Sequence, residues 1–87
     1  MINRAAQHHI ETLARHGVRI GTAQGDSIDL NLDFYHKAIE ACKSMGCLAA
    51  TYSLIVPGVE EPMLLAIHRD GHVDSGSEET VLACLDR

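Results

Sequence analysis

The run Met63-Leu64-Leu65-Ala66-Ile67 constrains the fold more than any other segment, because no polar residue interrupts it. A strand with one face in water alternates apolar and polar residues, whereas a strand covered on both faces is apolar throughout. Pro62 cannot donate to a strand ladder, and the pair Asp70-Gly71 is a strong turn signal, so the segment has the length of one strand. We therefore predict a central strand with both faces covered.

The chain before residue 33 contains one predicted helix and one predicted hairpin. Apolar residues recur at three- and four-residue spacing over residues 3–16, with Asn3 as the N-cap and Gly17 just after the end. Alternation with a period of two follows over residues 18–23 and 27–32, which a short turn separates. These patterns predict an amphipathic helix followed by an antiparallel hairpin.

A second helix and another strand follow in the middle of the chain. Either Asn31 or Asp33 can cap this helix, whose apolar stripe extends to Met45. Gly46 is placed to end it in the left-handed conformation. Residues 47–56 then alternate as in a strand.

The next part of the chain is expected to form a loop and a second hairpin. The segment 57–62 has a proline at each end and predicts an exposed acidic loop. A two-residue turn at Asp70-Gly71 would join the central strand to a short strand at 72–75 and set Ile67 opposite Asp74. Because that pair would place a charge beside a core residue, either Asp74 lies at the sheet rim or the register differs.

The chain after residue 75 is compatible with two structures. Ser75 or Ser77 can cap a helix that runs to about Leu85, with acidic residues in the first turn, where the helix dipole favours negative charge. The apolar run 80–85 is also compatible with a strand. The choice decides whether the sheet has an exposed edge.

Together these elements predict a single small α+β domain over residues 1–87, with a mainly antiparallel sheet packed by helices. The order α-β-β-α-β-β-β-α is similar to that of the profilin-like and roadblock-type domains, and the resemblance implies a scaffolding or dimerisation module. A chain this short buries only about 60% of its unfolded surface on folding. A homodimer would bury more, and we expect one.

The formal net charge of -5 lies entirely in the last third of the chain. Residues 1–56 contain five acidic and five basic residues, whereas residues 57–87 contain seven acidic residues and two arginines. A field of this sign repels phosphates and anionic lipids and attracts basic surfaces. We therefore expect no direct contact with nucleic acid or a membrane.

No catalytic residue and no cofactor is predicted, because the chain has neither a phosphate-binding glycine motif nor a GxSxG nucleophile turn. Cys42, Cys47 and Cys84 form no CxxC pair, and their neighbours are apolar. We interpret all three as reduced core residues of a cytoplasmic protein.

No metal site is predicted either, although the chain contains six histidines. His68 and His72 flank the Asp70-Gly71 turn, with Asp74 nearby. Metal ligands must converge on one point. A two-residue turn would place these three side chains on opposite faces of the sheet, which argues against a shared ion.

We expect a non-enzymatic protein-protein interaction module that docks on another protein through its acidic last third. Small inhibitors, regulators and adaptors of the antitoxin, immunity or anti-CRISPR type have this size and sign of charge. The expected partner-binding residues are Glu60, Glu61, Asp70, Asp74, Glu78 and Glu79. A second hypothesis is a small-molecule or metal sensor that uses His68, His72 and Tyr52, and a third is an enzyme subunit that needs another chain.

Overall fold

Three helices and five strands follow one another in the predicted order. The structure, a computed structural model, describes residues 3–85. The elements are α1 (Arg4–Arg15), β1 (Arg19–Gly21), β2 (Ser27–Asp29), α2 (Leu32–Met45), β3 (Ala49–Ile55), β4 (Met63–His68), β5 (Val73–Ser77) and α3 (Glu78–Leu85). The α+β prediction is confirmed, and the segment for which a strand was the alternative is helical.

The strands form one sheet in the order β2-β1-β3-β4-β5, and every neighbouring pair is antiparallel. The first hairpin is shorter than predicted, since β1 and β2 pair over three residues each. The apolar strand β4 lies between β3 and β5. The sequence therefore correctly predicts that β4 is an interior strand.

Helices cover both faces of β4, which explains its continuous apolar sequence. On one face α2 packs against β3 and β4, and Leu65 and Ile67 join the main core there with Tyr35. Alternate strand residues point to opposite faces, so Ala66 lies on the other side. Ala66 is nevertheless fully buried, and α3, with its buried Val81, packs against β4 and β5. The sheet is thus sandwiched at β4.

The helix ends follow from specific side chains. The Asn31 side chain accepts a hydrogen bond from the Phe34 N–H at 2.8 Å, so Asn31 is the N-cap of α2 and Asp33 lies in its first turn. Gly46 ends α2 with a φ of 71°. Met45, predicted to be buried, is exposed, because the core contacts of α2 end at Cys42. Within residues 3–85, the helices are too short and too polar to cross a bilayer.

The three cysteines do not share one environment. Cys42 is buried on the inner face of α2, as predicted. Cys47 and Cys84 are exposed, so the core prediction is wrong for both. Cys47 lies beyond the end of α2, and Cys84 lies on α3, where Val81 alone is buried.

Candidate functional site at the two ends of a hairpin

The turn between β4 and β5 contains three residues rather than the predicted two. The His68 N–H donates to the His72 carbonyl at 2.9 Å, so these two residues face each other across Arg69-Asp70-Gly71. A two-residue type I′ turn needs positive φ at Asp70 as well as at Gly71. Only Gly71 has it, at 102°. The Asp70 carboxylate instead accepts the His72 backbone N–H at 3.0 Å, which fixes the longer turn.

The longer turn shifts the register of β5 by one residue. Ala66, rather than Ile67, lies opposite Asp74, so the second of the two alternatives is correct: the register differs from that of a two-residue turn. The predicted separation of the histidines and Asp74 between two faces is wrong for the same reason. His72 lies directly opposite His68, and Asp74 follows His72 by two residues. All three side chains therefore lie on one face of the sheet.

These residues form the hairpin tip, which we define as His68, Asp70, His72 and Asp74. The two imidazole rings are stacked, with centroids 3.7 Å apart and planes at 14°. The Nε2 atom of His68 lies 2.9 Å from Asp74 Oδ2, and Nε2 of His72 lies 4.0 Å from the same oxygen. Nδ1 of His72 lies 2.5 Å from Asp70 Oδ1. The tip is one connected polar network.

Hydrogen bonding lowers the pKa of Asp70. The backbone N–H of His72 makes the largest contribution, and the His72 ring adds to it. Both donors stabilise the carboxylate over the carboxylic acid. Asp70 is therefore an acceptor that holds His72 from two directions.

Two helices anchor the hairpin tip to the rest of the domain. The Tyr35 hydroxyl of α2 donates a hydrogen bond to the Gly71 carbonyl, and burial raises the pKa of Tyr35. From α1, Nε2 of His9 lies 2.6 Å from the Ser75 hydroxyl. A buried hydrogen bond therefore ties the turn to α2, and a half-buried contact ties β5 to α1.

A second group of carboxylates gathers at the opposite end of the hairpin. The Glu78 N–H donates to the Pro62 carbonyl at 3.1 Å, which joins the 57–62 loop to the start of α3. Glu61, Glu78 and Glu79 border one shallow depression of about 390 Å³, together with Leu82. Leu82 is 44% exposed. We call Glu60, Glu61, Glu78, Glu79 and Leu82 the acidic end.

The six residues expected to bind a partner are thus divided between two places. Three line the depression of the acidic end, and Glu60 precedes Glu61 in the adjoining loop, whereas Asp70 and Asp74 belong to the hairpin tip. Five residue steps along β4 separate the two ends, which is about 17 Å at 3.3 Å per residue. The acidic third is not one continuous surface.

Leu82 is the member of the acidic end that the sequence does not predict. It lies in the apolar run 80–85 directly after the buried Val81, but adjacent helix residues do not share a face. Val81 and Leu85 are four residues apart, and they are the buried and half-buried residues of α3. That spacing was the signal that Leu82 faces outward.

Tyr52 does not meet the histidines. It lies opposite Leu65 on the face that α2 covers, and its ring packs edge-on against Phe34 with centroids 4.8 Å apart. It lines an open groove of about 410 Å³ that also includes Ile28. The pocket predicted from His68, His72 and Tyr52 is therefore not formed.

No protein-family model matches the chain, and neither the curated proteins nor the solved structures contain a match to it. The functional assignment therefore depends on the residues of this chain.

Proposed function

We propose that this protein is a non-enzymatic interaction module whose acidic end docks on a basic surface of another protein. One observation carries the proposal: the bond between Glu78 and Pro62 gathers carboxylates from two segments around the exposed Leu82. Carboxylates alone would form a solvated, solubilising face. An apolar side chain at their centre adds a group that gains free energy when a partner covers it.

The charges of the acidic end are available to a partner. The salt bridges found among residues 3–85 include none of Glu60, Glu61, Glu78 and Glu79. A basic surface would therefore meet carboxylates without first displacing an internal cation. Such complementarity raises the association rate and selects partners by charge. A partner site that otherwise holds phosphates would fit this pattern.

The role that follows is that of a small cytoplasmic inhibitor, regulator or adaptor, of the antitoxin, immunity or anti-CRISPR type. Asp70 and Asp74 contribute less to partner binding, because imidazole groups already contact both carboxylates. The docking surface therefore consists of the loop 57–62 and the first turns of α3.

We also propose a homodimer. The apolar strand β4 does not offer a dimer surface, because helices of the same chain cover both of its faces. The outer face of β3 supports the proposal, since α3 packs mainly against β4 and β5 and Thr51, Ser53 and Ile55 are exposed. Light scattering should give twice the chain mass, and I55K should give a monomer. A wild-type monomer at tens of micromolar would remove this proposal.

The docking proposal is tested by affinity capture from the native host with three baits. These are the wild type, E61K/E78K, and E11K/D26K, which changes the charge equally but away from the acidic end. The wild type and E11K/D26K should recover the same partner, in amounts that fall as salt rises, and E61K/E78K should lose it. Equal recovery by all three folded baits would exclude the acidic end as the docking surface.

A further inference from the structure

We propose that the hairpin tip binds one divalent transition-metal ion, zinc in the first instance, through His68, His72 and Asp74. This site is separate from the acidic end and does not depend on the docking proposal. Within residues 3–85, these three side chains form a group whose possible ligand atoms all lie within 4.8 Å of one another.

The spacing of the ligand atoms fits a tetrahedral ion. Zinc bonds to nitrogen and oxygen of about 2.0–2.2 Å place tetrahedral ligands about 3.4 Å apart. Nε2 of His68 lies 2.9 Å from Asp74 Oδ2, and Nε2 of His72 lies 4.0 Å from it. The first separation is shorter than the tetrahedral spacing and the second is longer. The two rings are stacked with their planes at 14°, so side-chain rotations must unstack them before both nitrogens can point at one ion.

Asp70 prepares His72 as a ligand. An ionised carboxylate only accepts hydrogen bonds, so the contact of 2.5 Å to Asp70 Oδ1 requires a proton on His72 Nδ1. A neutral imidazole with its proton on Nδ1 has a lone pair on Nε2, the nitrogen nearest Asp74. Histidine ligands of metals are commonly oriented by a carboxylate in this way. Asp70 is therefore a positioning residue.

His68 changes tautomer when the ion enters. Its Nε2 lies 2.9 Å from Asp74 Oδ2, and because a carboxylate only accepts hydrogen bonds, this contact assigns a proton to Nε2. The ion takes the place of that proton between the two side chains. Nδ1 of the same ring takes up a proton by exchange with solvent.

The donor set and its exposure favour a borderline ion. Imidazole nitrogen suits zinc, copper, nickel and iron, whereas calcium and magnesium prefer oxygen ligands. The His68 side chain is 16% exposed, whereas those of Asp74 and His72 are 40% and 47% exposed. An ion can therefore enter from solvent, and a fourth position stays open for water or another ligand.

Titration of the untagged full chain with zinc chloride, followed by calorimetry, tests the site. The exposed thiols also bind zinc, so the titrations use the C47S/C84S background. H72Q, H68Q and D74N each remove a ligand, and D70N removes the positioning carboxylate. H36Q is the matched control, because His36 is an exposed histidine of α2 outside the tip. Circular dichroism checks that each variant is folded.

We expect one zinc ion per chain in the background protein and in H36Q. D70N should lose about 10–100-fold in affinity, as do changes to carboxylates that orient metal-bound histidines. Removing a ligand should cost more. The ¹⁵N shifts of the His72 ring should also show the loss of its fixed tautomer in D70N, which a purely structural effect would not produce.

The absence of one-to-one binding would overturn the proposal, and so would unchanged affinity in H72Q and D74N. If H68Q does not fold, H72Q and D74N still decide the result, because both residues are substantially exposed.

Discussion

The hairpin tip and the acidic end use the same residue type in opposite ways. At the tip, Asp74 and Asp70 contact His68 and His72 at 2.9 and 2.5 Å. By contrast, none of the salt bridges found among residues 3–85 involves a carboxylate of the acidic end. The carboxylates of the tip therefore contact neighbouring imidazole groups, whereas those of the acidic end face solvent without a salt bridge among residues 3–85. The contrast suggests an ion for the first and a protein for the second.

Strand β4 connects the two ends, so its core should affect both. L65A removes a fully buried side chain and should lower the free energy of unfolding by about 2–5 kcal/mol. Urea denaturation measures this loss. Zinc binding and partner binding should decline together with the folded fraction. A loss at one end alone would show that the ends do not share this core.

Y35F separates the tip from the acidic end. It removes the hydroxyl that donates to the Gly71 carbonyl and leaves a buried acceptor unsatisfied, at a cost of about 1–3 kcal/mol. Under conditions where the variant remains folded, zinc affinity should fall while partner binding is unchanged. Equal effects on both ligands would contradict the proposed anchoring role.

The same tyrosine predicts a dependence on alkaline pH. Burial raises the folded-state pKa of Tyr35, so above the unfolded pKa of about 10 the folded state still holds a proton that the unfolded state has lost. Its contribution to stability is complete below that pH and disappears as the pH rises through the folded pKa. Urea midpoints from pH 8 to 11 should fall less steeply in Y35F. Tyr52 and Cys42, whose pKa values burial also raises, account for the remaining slope.

E78Q/E79Q addresses the acidic end with little effect on structure. Both residues lie in the first turn of α3, where each charge interacts favourably with the helix dipole by about 0.3–1 kcal/mol. The thermal midpoint should therefore fall slightly. The partner association rate should fall and become less sensitive to salt, while the zinc affinity stays constant. A change in zinc affinity would mean that the two ends are coupled.

D29N should have the smallest effect. Its ion pair with Arg19 is short, at 2.6 Å, but both side chains are largely exposed. Exposed pairs contribute about 0.2–1 kcal/mol. Neither zinc nor partner binding should change, so this variant serves as the baseline for the others. A loss at either end would place a functional contact on β2.

The order of helices and strands could be predicted from the sequence because the spacing of apolar residues indicates which faces are buried. The unbroken run at β4 correctly predicted cover on both sides, and Asn3 and Gly46 marked helix ends at the observed positions. Such signals depend on neighbouring residues along the chain. They are therefore visible without knowledge of the tertiary structure.

The candidate sites were less predictable because they depend on the register of one turn. Asp70-Gly71 is compatible with a two-residue or a three-residue turn, and a shift of one residue reverses which side chains share a face. The hydrogen bond from the His72 N–H to Asp70 decides between them. Likewise, the bond from Glu78 to Pro62 joins segments 16 residues apart, and nothing in either segment predicts it.

Chemical-shift mapping of backbone amides tests most directly whether zinc binds the hairpin tip and the partner binds the acidic end. The protein is titrated first with zinc chloride and then with the partner recovered by capture. Zinc should shift amides of residues 68–74, and the partner should shift those of residues 60–62 and 77–82. A partner footprint centred on the hairpin tip or on the outer face of β3 would contradict the account, as would a zinc footprint outside the tip.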